Sequence, residues 1–341
     1  MTELISPRQH SVQLLHTKAQ QQFCETRSAS LAVTFDWAKL TRSGEDHTAP
    51  APVLFQWKTD RSCSMFFLSE NEDFSNAQKI SVGECSICLQ NLKVAQTYYW
   101  KVNDSETGIF RTSDAAPRWI YAEGLTNIRD QGGWKTVDGK RIRQGLIYRG
   151  SEMEWQSYRD RDPSREPHVA ITAAGLETMR QLSIRTDLDL RISAFGNLQA
   201  SPLGTDVDLR IIPISPYDEL FQDTYKPAVK EIFTLFANPD AYPIYYHCWG
   251  GADRTGTLAY LLNGLLGVPE EDLLLDYELT SLGYFGPRSR DLDYFVRFEE
   301  ALRACDPSGT AQTRSRQFLL SCDVDQETLS QLANNLLELS C

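Results

Sequence analysis

The chain of 341 residues lacks any apolar run that approaches the roughly eighteen residues of a membrane span. Residues 1–20 also lack the apolar stretch of a secretory signal peptide and include the polar residues His10, Gln13 and Lys18. No internal repeat or low-complexity segment interrupts the chain. These absences argue against an integral membrane segment and predict a cytoplasmic, globular protein.

Basic residues are too few to balance the acidic ones. The 34 lysines and arginines face 46 aspartates and glutamates, which gives a net charge of −12 and a pI near 5.0. This balance argues against a nucleic acid or an anionic membrane surface as the main partner. It leaves phosphorylated substrates open, because a small local basic patch can capture an anion within an acidic protein.

Cysteines are scattered rather than arranged in a disulfide framework, which fits a reducing compartment. Cys85 and Cys88 have the spacing of a metal or redox pair, but no second such pair and no paired histidines accompany them. We interpret this pair, which lies in a strand-like run, as structural or incidental. The eight cysteines are Cys24, Cys63, Cys85, Cys88, Cys248, Cys305, Cys322 and Cys341.

The first third of the chain has the pattern of an all-β domain. Short apolar runs alternate with polar turn clusters such as residues 69–73, and this spacing predicts a small β-sandwich. The predicted strands are residues 29–36, 52–57, 64–68, 80–89, 97–102 and 108–112.

The segment from Leu92 to Val102, LKVAQTYYWKV, resembles the tyrosine-corner strand of fibronectin type III-like domains. In that motif a tyrosine hydroxyl bonds to nearby backbone while Trp and Val pack inward. The resemblance covers about residues 25–113 and implies a sandwich without indicating an activity. We therefore predict an N-terminal extension over residues 1–24 and a fibronectin type III-like domain over residues 25–114.

Beyond a linker at residues 113–117 the pattern changes to strands that alternate with helices. Such alternation predicts an α/β domain over residues 118–341, with a largely parallel sheet flanked by helices. The predicted strands are residues 145–148, 184–190, 209–214 and 242–247, and the predicted helices are residues 172–182, 225–236, 257–266, 290–304 and 326–339.

The run HCWGGADRTG at residues 247–256 carries the chemistry. A strand leads into a tight loop and then into the N-terminus of an apolar helix, so that backbone N–H groups and the helix dipole form a cradle for an anion. Arg254 adds a planar cation that can hold two phosphoryl oxygens. The predicted phosphate-binding residues are Trp249, Gly250, Gly251, Ala252, Asp253 and Arg254.

Cys248 lies where this cradle can ionise it. A free thiol has a pKa of about 8.5, and a helix N-terminus near cations lowers it to about 3.5–7.5. A thiolate beside a bound phosphate predicts in-line attack and a cysteinyl-phosphate intermediate. The Thr255 hydroxyl can bond the sulfur and help it leave, and His247 can orient the loop through the backbone or act directly. The alternative for Cys248 is a buried cysteine beside a turn.

This loop resembles the HCxxGxxRTG signature of the cysteine-dependent protein tyrosine and dual-specificity phosphatases. A second region, with NIRDQGG at residues 127–133, Asp138-Gly139 and RQGLIYRGS at residues 143–151, resembles the NFRDLGG region of atypical bacterial tyrosine phosphatases. That group is related to secreted lipid and tyrosine phosphatases of pathogens. DLDLR at residues 187–191 is similar to the end of one of its strands.

The resemblance covers about residues 120–285 and implies the tyrosine-phosphatase fold, no metal and no organic cofactor. Ala252 stands where some lipid-active members have lysine, and the loss of that cation weakens an inositol-lipid interpretation. Trp249 either forms a wall of the pocket mouth or simply packs. The later run at residues 284–290 is a candidate for a rim that faces the substrate.

In phosphatases that resemble this chain, the general acid is usually an aspartate on a mobile loop some thirty residues before the cysteine. Asp218 follows a predicted strand at a separation of 30 residues from Cys248, and it is the first candidate. Asp253 in the loop and Asp223 are competitors. The alternative role for Asp218 is the N-cap of a following helix.

Other polar residues of the two matching regions have two interpretations each. Asn127, Arg129 and Asp130 either approach the phosphate loop or provide an Arg129–Asp130 ion pair that fixes the first segment of the domain. Asp189 and Arg191 are expected to brace the edge of the sheet rather than to touch substrate.

The sequence therefore predicts a phosphate monoester hydrolase, with phosphotyrosine in proteins or peptides as the first substrate class and small phosphate esters also open. Inositol phosphates and phosphoinositides are the alternative. An inactive phosphate-binding adaptor is disfavoured, because Cys248, Arg254 and Thr255 are all retained. A thiol redox enzyme would need a resolving cysteine near Cys248, and none is close in sequence.

Overall fold

The computed structural model describes residues 2–26, 46–154, 170–191 and 199–338. Its N-terminal part contains two β-sheets, β1-β3-β6 and β2-β8-β7-β4-β5. The neighbours are antiparallel except β2 and β8, which run parallel. The strands are β1 (Glu3–Ser6), β2 (Ser11–Gln13), β3 (Val53–Lys58), β4 (Ser64–Ser69), β5 (Gln78–Val82), β6 (Ser86–Leu89), β7 (Thr97–Val102) and β8 (Gly108–Thr112).

The two sheets enclose an aromatic core. β3 alternates buried and exposed side chains, and its Phe55 ring lies 4.9–5.5 Å from the rings of Phe66, Trp100 and Phe110 on the other sheet. All four side chains are fully buried. A period of two with one face buried is the expected signature of a sandwich strand, so this part of the fold follows directly from the sequence pattern.

The structure differs from the prediction at two places, and one predicted strand is not tested. The predicted strand 80–89 is two strands, β5 and β6, separated by a turn at residues 83–85. The predicted strand 29–36 lies outside the described residues. β1 and β2 belong to the sandwich sheets although they lie in residues 1–24, which the sequence indicated as an extension. The division of the chain into three domains stays a prediction.

The second part is an α/β unit whose five-stranded sheet has the order β12-β11-β13-β10-β9. The first four strands are parallel, and β9 pairs antiparallel with β10. This confirms the predicted largely parallel sheet. The strands are β9 (Arg129–Asp130), β10 (Ile147–Gly150), β11 (Thr186–Asp189), β12 (Asp208–Ile211) and β13 (Ile244–His247).

Helices flank this sheet, and one of them begins earlier than predicted. α4 starts at Asp253 rather than at residue 257, which brings Arg254 into its first turn. Across the described parts of the chain, no helix combines the length and apolarity that crossing a bilayer requires. The α-helices are α1 (Lys18–Glu25), α2 (Ala173–Gln181), α3 (Lys226–Ala237), α4 (Asp253–Leu265), α5 (Glu270–Glu278), α6 (Asp293–Cys305), α7 (Ala311–Ser321) and α8 (Gln326–Leu336).

The sandwich and the α/β unit are joined by buried polar contacts. Arg118 donates to the backbone carbonyls of Asn91 and Leu92 and, at 2.9 Å, to the Asp130 carboxylate. Phe23, on α1, is fully buried and belongs to the hydrophobic core of the α/β unit. α1, which follows β2 in the chain, is therefore packed into the second unit.

Candidate active site

The loop between β13 and α4 holds Cys248, whose side chain is almost fully buried. Gly251 has a φ of +64°, and a Cβ placed there would lie 2.5 Å from the carbonyl carbon of Gly150. A Cβ at Gly250 would lie 2.5 Å from the ring of Phe285. Both positions therefore require glycine, one for its backbone angle and both for space.

The surroundings of Cys248 favour its ionised form. Burial raises the pKa of the thiol, but the charge of Arg254 and the nearby hydroxyl and N–H of Thr255 outweigh burial and lower it. The net result is a pKa below the ordinary value of a cysteine. These surroundings therefore favour the thiolate, which is the form of a cysteine that acts as a nucleophile.

One N–H donor of the Arg254 guanidinium has no acceptor in the described part of the chain. Its Nη1 atom is buried and has no hydrogen-bond partner among the described residues, while its guanidinium lies 5.3 Å from the centre of the Trp249 ring. The contact with the Trp249 ring holds the guanidinium group in place. A buried donor is costly unless a ligand accepts from it, so this atom marks a position for an anionic oxygen.

The carbonyl groups of the loop accept hydrogen bonds from residues of neighbouring segments. The Asn127 side-chain amide donates to the carbonyl oxygens of Gly250 and Gly251, both at 3.1 Å. Arg149 donates to the Gly251 carbonyl at 3.1 Å, and the Glu152 N–H donates to the Trp249 carbonyl at 2.9 Å. Since the carbonyl and N–H of a peptide point in opposite directions, these bonds leave the N–H groups on the other side for an anion.

Asp276, on α5, neutralises two buried arginines behind the loop. It accepts from Arg129 at 2.9 Å and from Arg149 at 2.7 Å. The predicted ion pair between Arg129 and Asp130 is wrong, because Asp130 pairs with Arg118 instead. Adjacent residues of a strand point to opposite faces, so Arg129 and Asp130 serve different sides of β9.

His247 lies beneath the loop as a buried cation. Burial lowers its pKa, but Asp189 and Asp187 outweigh burial and raise the pKa to about 9. One ring nitrogen lies 3.1 Å from Asp187 and the other lies 3.2 Å from the Cys248 carbonyl oxygen. His247 thus joins the loop backbone to β11.

Asp189 and Arg191 belong to the same buried cluster. Arg191 binds the Asp189 carboxylate at 2.7 Å through Nη2 and also pairs with Glu152 and Glu154. The prediction that they brace the edge of the sheet is wrong, because β11 is an inner strand between β12 and β13. They lie behind the phosphate loop rather than at the border of the fold.

Asp218, the first candidate for the general acid, lies in a 3₁₀ turn at Tyr217–Phe221. Pro216 precedes this turn at the cap position, so Asp218 is not an N-cap. Its carboxylate is 34% exposed and accepts from Arg297 at 3.2 Å. Asp223 is 93% exposed and pairs with Lys226, away from the buried loop.

Asp253 is held as an ionised carboxylate. Arg288 binds both of its oxygens at 2.8 Å, and the Tyr217 hydroxyl donates to one of them. Burial raises the pKa of Asp253, but the Arg288 charge and hydrogen bonds from Arg288 and Tyr217 outweigh burial and lower it. Tyr217 thereby ties the turn that carries Asp218 to the first residue of α4.

Two functional contacts were not predicted from the sequence. Arg288 lies in the run 284–290, which was expected at the rim, but its pairing with Asp253 had no local signal. Asp276 is a buried carboxylate among the apolar residues of α5, LLLDYE, and an acid in such a setting is the one signal that could have indicated it.

A parallel α/β sheet with a Cys-x5-Arg loop before a buried helix defines the class of cysteine-dependent phosphate-binding domains. The chain belongs to the tyrosine phosphatase family, whose sequence model matches residues 120–338. It is 29% identical over 177 residues to a putative tyrosine-protein phosphatase of Cupriavidus necator, covering 45% of this chain and 59% of that protein. It is 27% identical over 144 residues to a tyrosine-protein phosphatase of Nostoc commune, covering 36% of this chain and 49% of that protein.

The chain thus spans about half the length of these curated relatives. Among solved structures it is similar to the core catalytic domain of the PP-IP phosphatase Siw14 from S. cerevisiae in complex with citrate. That similarity has a TM-score of 0.31 and 16% identity over 46% of this chain and 84% of that one. A second structure of the Siw14 catalytic core gives a TM-score of 0.32 and 14% identity over 63% and 92%.

Proposed function

We propose that the chain hydrolyses phosphate monoesters, with phosphotyrosine in proteins or peptides as its substrate class. The observation that carries the proposal is the buried Arg254 Nη1, which no described residue pairs with, together with the lowered pKa of the Cys248 thiol. Membership of the tyrosine phosphatase family supports it. The same pair argues against an inactive adaptor, which needs an anion site but no ionised nucleophile.

In the first step, the Cys248 sulfur attacks phosphorus in line while Arg254 and the loop N–H groups bind the three non-bridging oxygens. The P–S bond forms as the bond to the leaving oxygen breaks, and Asp218 protonates that oxygen. In the second step, water attacks phosphorus and gives a proton to Asp218. The P–S bond breaks, inorganic phosphate forms, and the Thr255 hydroxyl stabilises the departing thiolate.

Asp218 is the better candidate for the acid because both carboxylate oxygens of Asp253 are already occupied by Arg288 and Tyr217. The ion pair with Arg288 and the bond from Tyr217 keep Asp253 ionised. Asp253 instead fixes the turn that carries Asp218, through Tyr217. The Asp218 side chain is about one-third exposed, and its one ion pair, with Arg297 at 3.2 Å, can be displaced by a substrate.

Inositol polyphosphates and phosphoinositides are less suitable substrates, because a second phosphate needs a second available cation. Among the described residues around the loop, Ala252 provides none, and Arg288 is already paired with Asp253. The proposal therefore includes a preference for esters with a single phosphate.

We also propose that residues 25–114 form a fibronectin type III-like domain, with the strands of residues 3–13 added to its sheets. The Tyr98 hydroxyl accepts a hydrogen bond from the Lys93 N–H at 2.9 Å, which is the bond of a tyrosine corner. Trp100 and Val102 of the same strand are fully buried. The domain is proposed to act as a support for the catalytic unit.

The function is tested by hydrolysis of p-nitrophenyl phosphate and a phosphotyrosine peptide in the presence of a metal chelator. We expect turnover with both substrates and, after rapid quenching, a protein-bound phosphate with the chemical lability of an S-phosphocysteine, because the intermediate is bound to sulfur. Hydrolysis of inositol hexakisphosphate is expected to be slower. Loss of all activity with the chelator, restored by added metal, would contradict the proposed mechanism.

Replacement of Asp218 by asparagine is expected to lower kcat by about 10²–10³-fold for phenyl phosphate, because phenolate leaves poorly without a proton. The loss should be much smaller for substrates whose leaving group is already acidic. The measurement is the dependence of kcat on the pKa of the leaving group. Asp223→Asn, a nearby exposed carboxylate, is the matched control and should retain the wild-type dependence. Selective loss in Asp253→Asn instead would transfer the role to Asp253.

A further inference from the structure

A short segment outside the matched family region reaches the back of the phosphate loop. Residues 46–49 precede β3 of the sandwich, and Thr48 is buried within them. The Thr48 hydroxyl accepts a hydrogen bond from the Asn127 N–H at 3.1 Å and donates to Asp46 at 2.6 Å. A residue of the N-terminal part thus binds the residue whose side chain holds the loop.

Asn127 is the link between this segment and the loop. Its side-chain Nδ2 donates to the carbonyl oxygens of Gly250 and Gly251, and its side-chain Oδ1 accepts a hydrogen bond from Arg129 at 2.9 Å. Its backbone has a φ of +59°, in the left-handed region, which asparagine adopts more readily than most other side chains. The bond to Thr48 holds the backbone N–H of Asn127 in this conformation.

The segment itself is fixed at both sides of Thr48. The Gln20 side-chain amide, fully buried on α1, donates to the backbone carbonyls of His47 and Ala49 at 2.8 and 2.9 Å. The His47 N–H donates to the Leu282 carbonyl at 3.0 Å, just before the run that packs on the loop. These bonds fix the backbone on both sides of Thr48, whose hydroxyl lies against the Asn127 N–H.

We propose that Thr48 is a positioning residue for the phosphate loop, acting through Asn127. It makes the N-terminal part of the chain a component of the catalytic site rather than a separate recognition module. The inference deepens the proposed function and rests on it. Without the Thr48 hydroxyl, the Asn127 N–H loses its partner in a buried setting, and the amide that orients the loop carbonyls is no longer fixed.

The test compares the full chain with Thr48→Val, Thr48→Ser and Thr112→Val. Thr48→Val keeps the shape and removes the hydroxyl, whereas serine retains both hydrogen bonds. Thr112 is the matched control, because it is equally buried and its hydroxyl also accepts an N–H, from Gln96, and donates to a carbonyl, of Lys93. The probe is tungstate, measured by calorimetry, together with the pH profile of Cys248 alkylation by iodoacetamide and the kcat and KM for p-nitrophenyl phosphate.

We expect Thr48→Val to bind tungstate about tenfold more weakly and to shift the alkylation profile to higher pH. Thr48→Ser should restore both, and Thr112→Val should lower stability without changing either. Wild-type affinity and profile in Thr48→Val, or equal losses in Thr112→Val, would overturn the proposal. If Thr48→Val is not recovered folded, Thr48→Ala removes the same bond without a branched side chain.

The two proposals fail in different ways. If the wild type binds tungstate but hydrolyses no phosphate ester, the proposed function is wrong, while the tungstate and alkylation comparisons still decide the role of Thr48. If the wild type hydrolyses esters and Thr48→Val matches it in every measurement, the function stands and the positioning role is wrong.

Discussion

Replacement of Cys248 by serine is expected to lower kcat for p-nitrophenyl phosphate by at least about 10⁴-fold, because the loop ionises a thiol and not an alcohol. The pKa of the Cys248 thiol is lowered by Arg254 and Thr255, which together outweigh burial. A serine hydroxyl has an intrinsic pKa several units above that of a thiol, so it stays protonated beside the same charges. Steady-state kinetics with a metal chelator present measures the loss.

The same variant should retain the anion site, because serine leaves Arg254 and the loop N–H groups in place. Tungstate affinity within about threefold of the wild type would show that the loss is chemical and not structural. Cys322→Ser is the matched control: Cys322 is also buried, but burial raises its pKa to about 11, so that it is inert at neutral pH. Turnover by Cys248→Ser within tenfold of the wild type would exclude the sulfur as the nucleophile.

The elements that could be predicted from the sequence are those in which the local spacing of apolar residues matches the buried positions. β3 has apolar residues at every second position, Val53, Phe55 and Trp57, although the exposed Leu54 between them is apolar too. β13 begins with the apolar run Ile244–Tyr246, since it lies in the middle of a largely parallel sheet. α5 was missed because nearly all of its second half is buried, which removes the one-sided stripe that marks a surface helix. β9 has two residues, too few to show any period.

The site divides in the same way. Cys248 and Arg254 are in one contiguous motif, and strand, loop and helix follow each other along the chain, so their meeting is local. Asp276, Arg288 and Thr48 come from remote segments and reach the loop through tertiary packing, which no local pattern records. The wrong Arg129–Asp130 ion pair has the same origin, since the partners that replaced it are distant in sequence.

Replacement of Asp276 by alanine is expected to lower the free energy of unfolding by about 3–5 kcal/mol, because it leaves two buried guanidinium groups without a counter-charge. Arg129 and Arg149 are fully buried, and both bind this one carboxylate. Burial and the charge of Arg149 already lower the pKa of Arg129, and Asp276 opposes that shift. Urea unfolding at pH 7 followed by tryptophan fluorescence measures the change.

Asp208→Ala is the matched control, because Asp208 also pairs with an arginine, Arg210, at 2.8 Å, but both side chains are 52% exposed. Water screens such a pair, so its removal should change stability by less than about 1 kcal/mol. A loss that small in Asp276→Ala would mean that the buried arginines find other partners. The larger loss would show that the loop is supported by charge as well as by packing, because Arg149 also holds the Gly251 carbonyl.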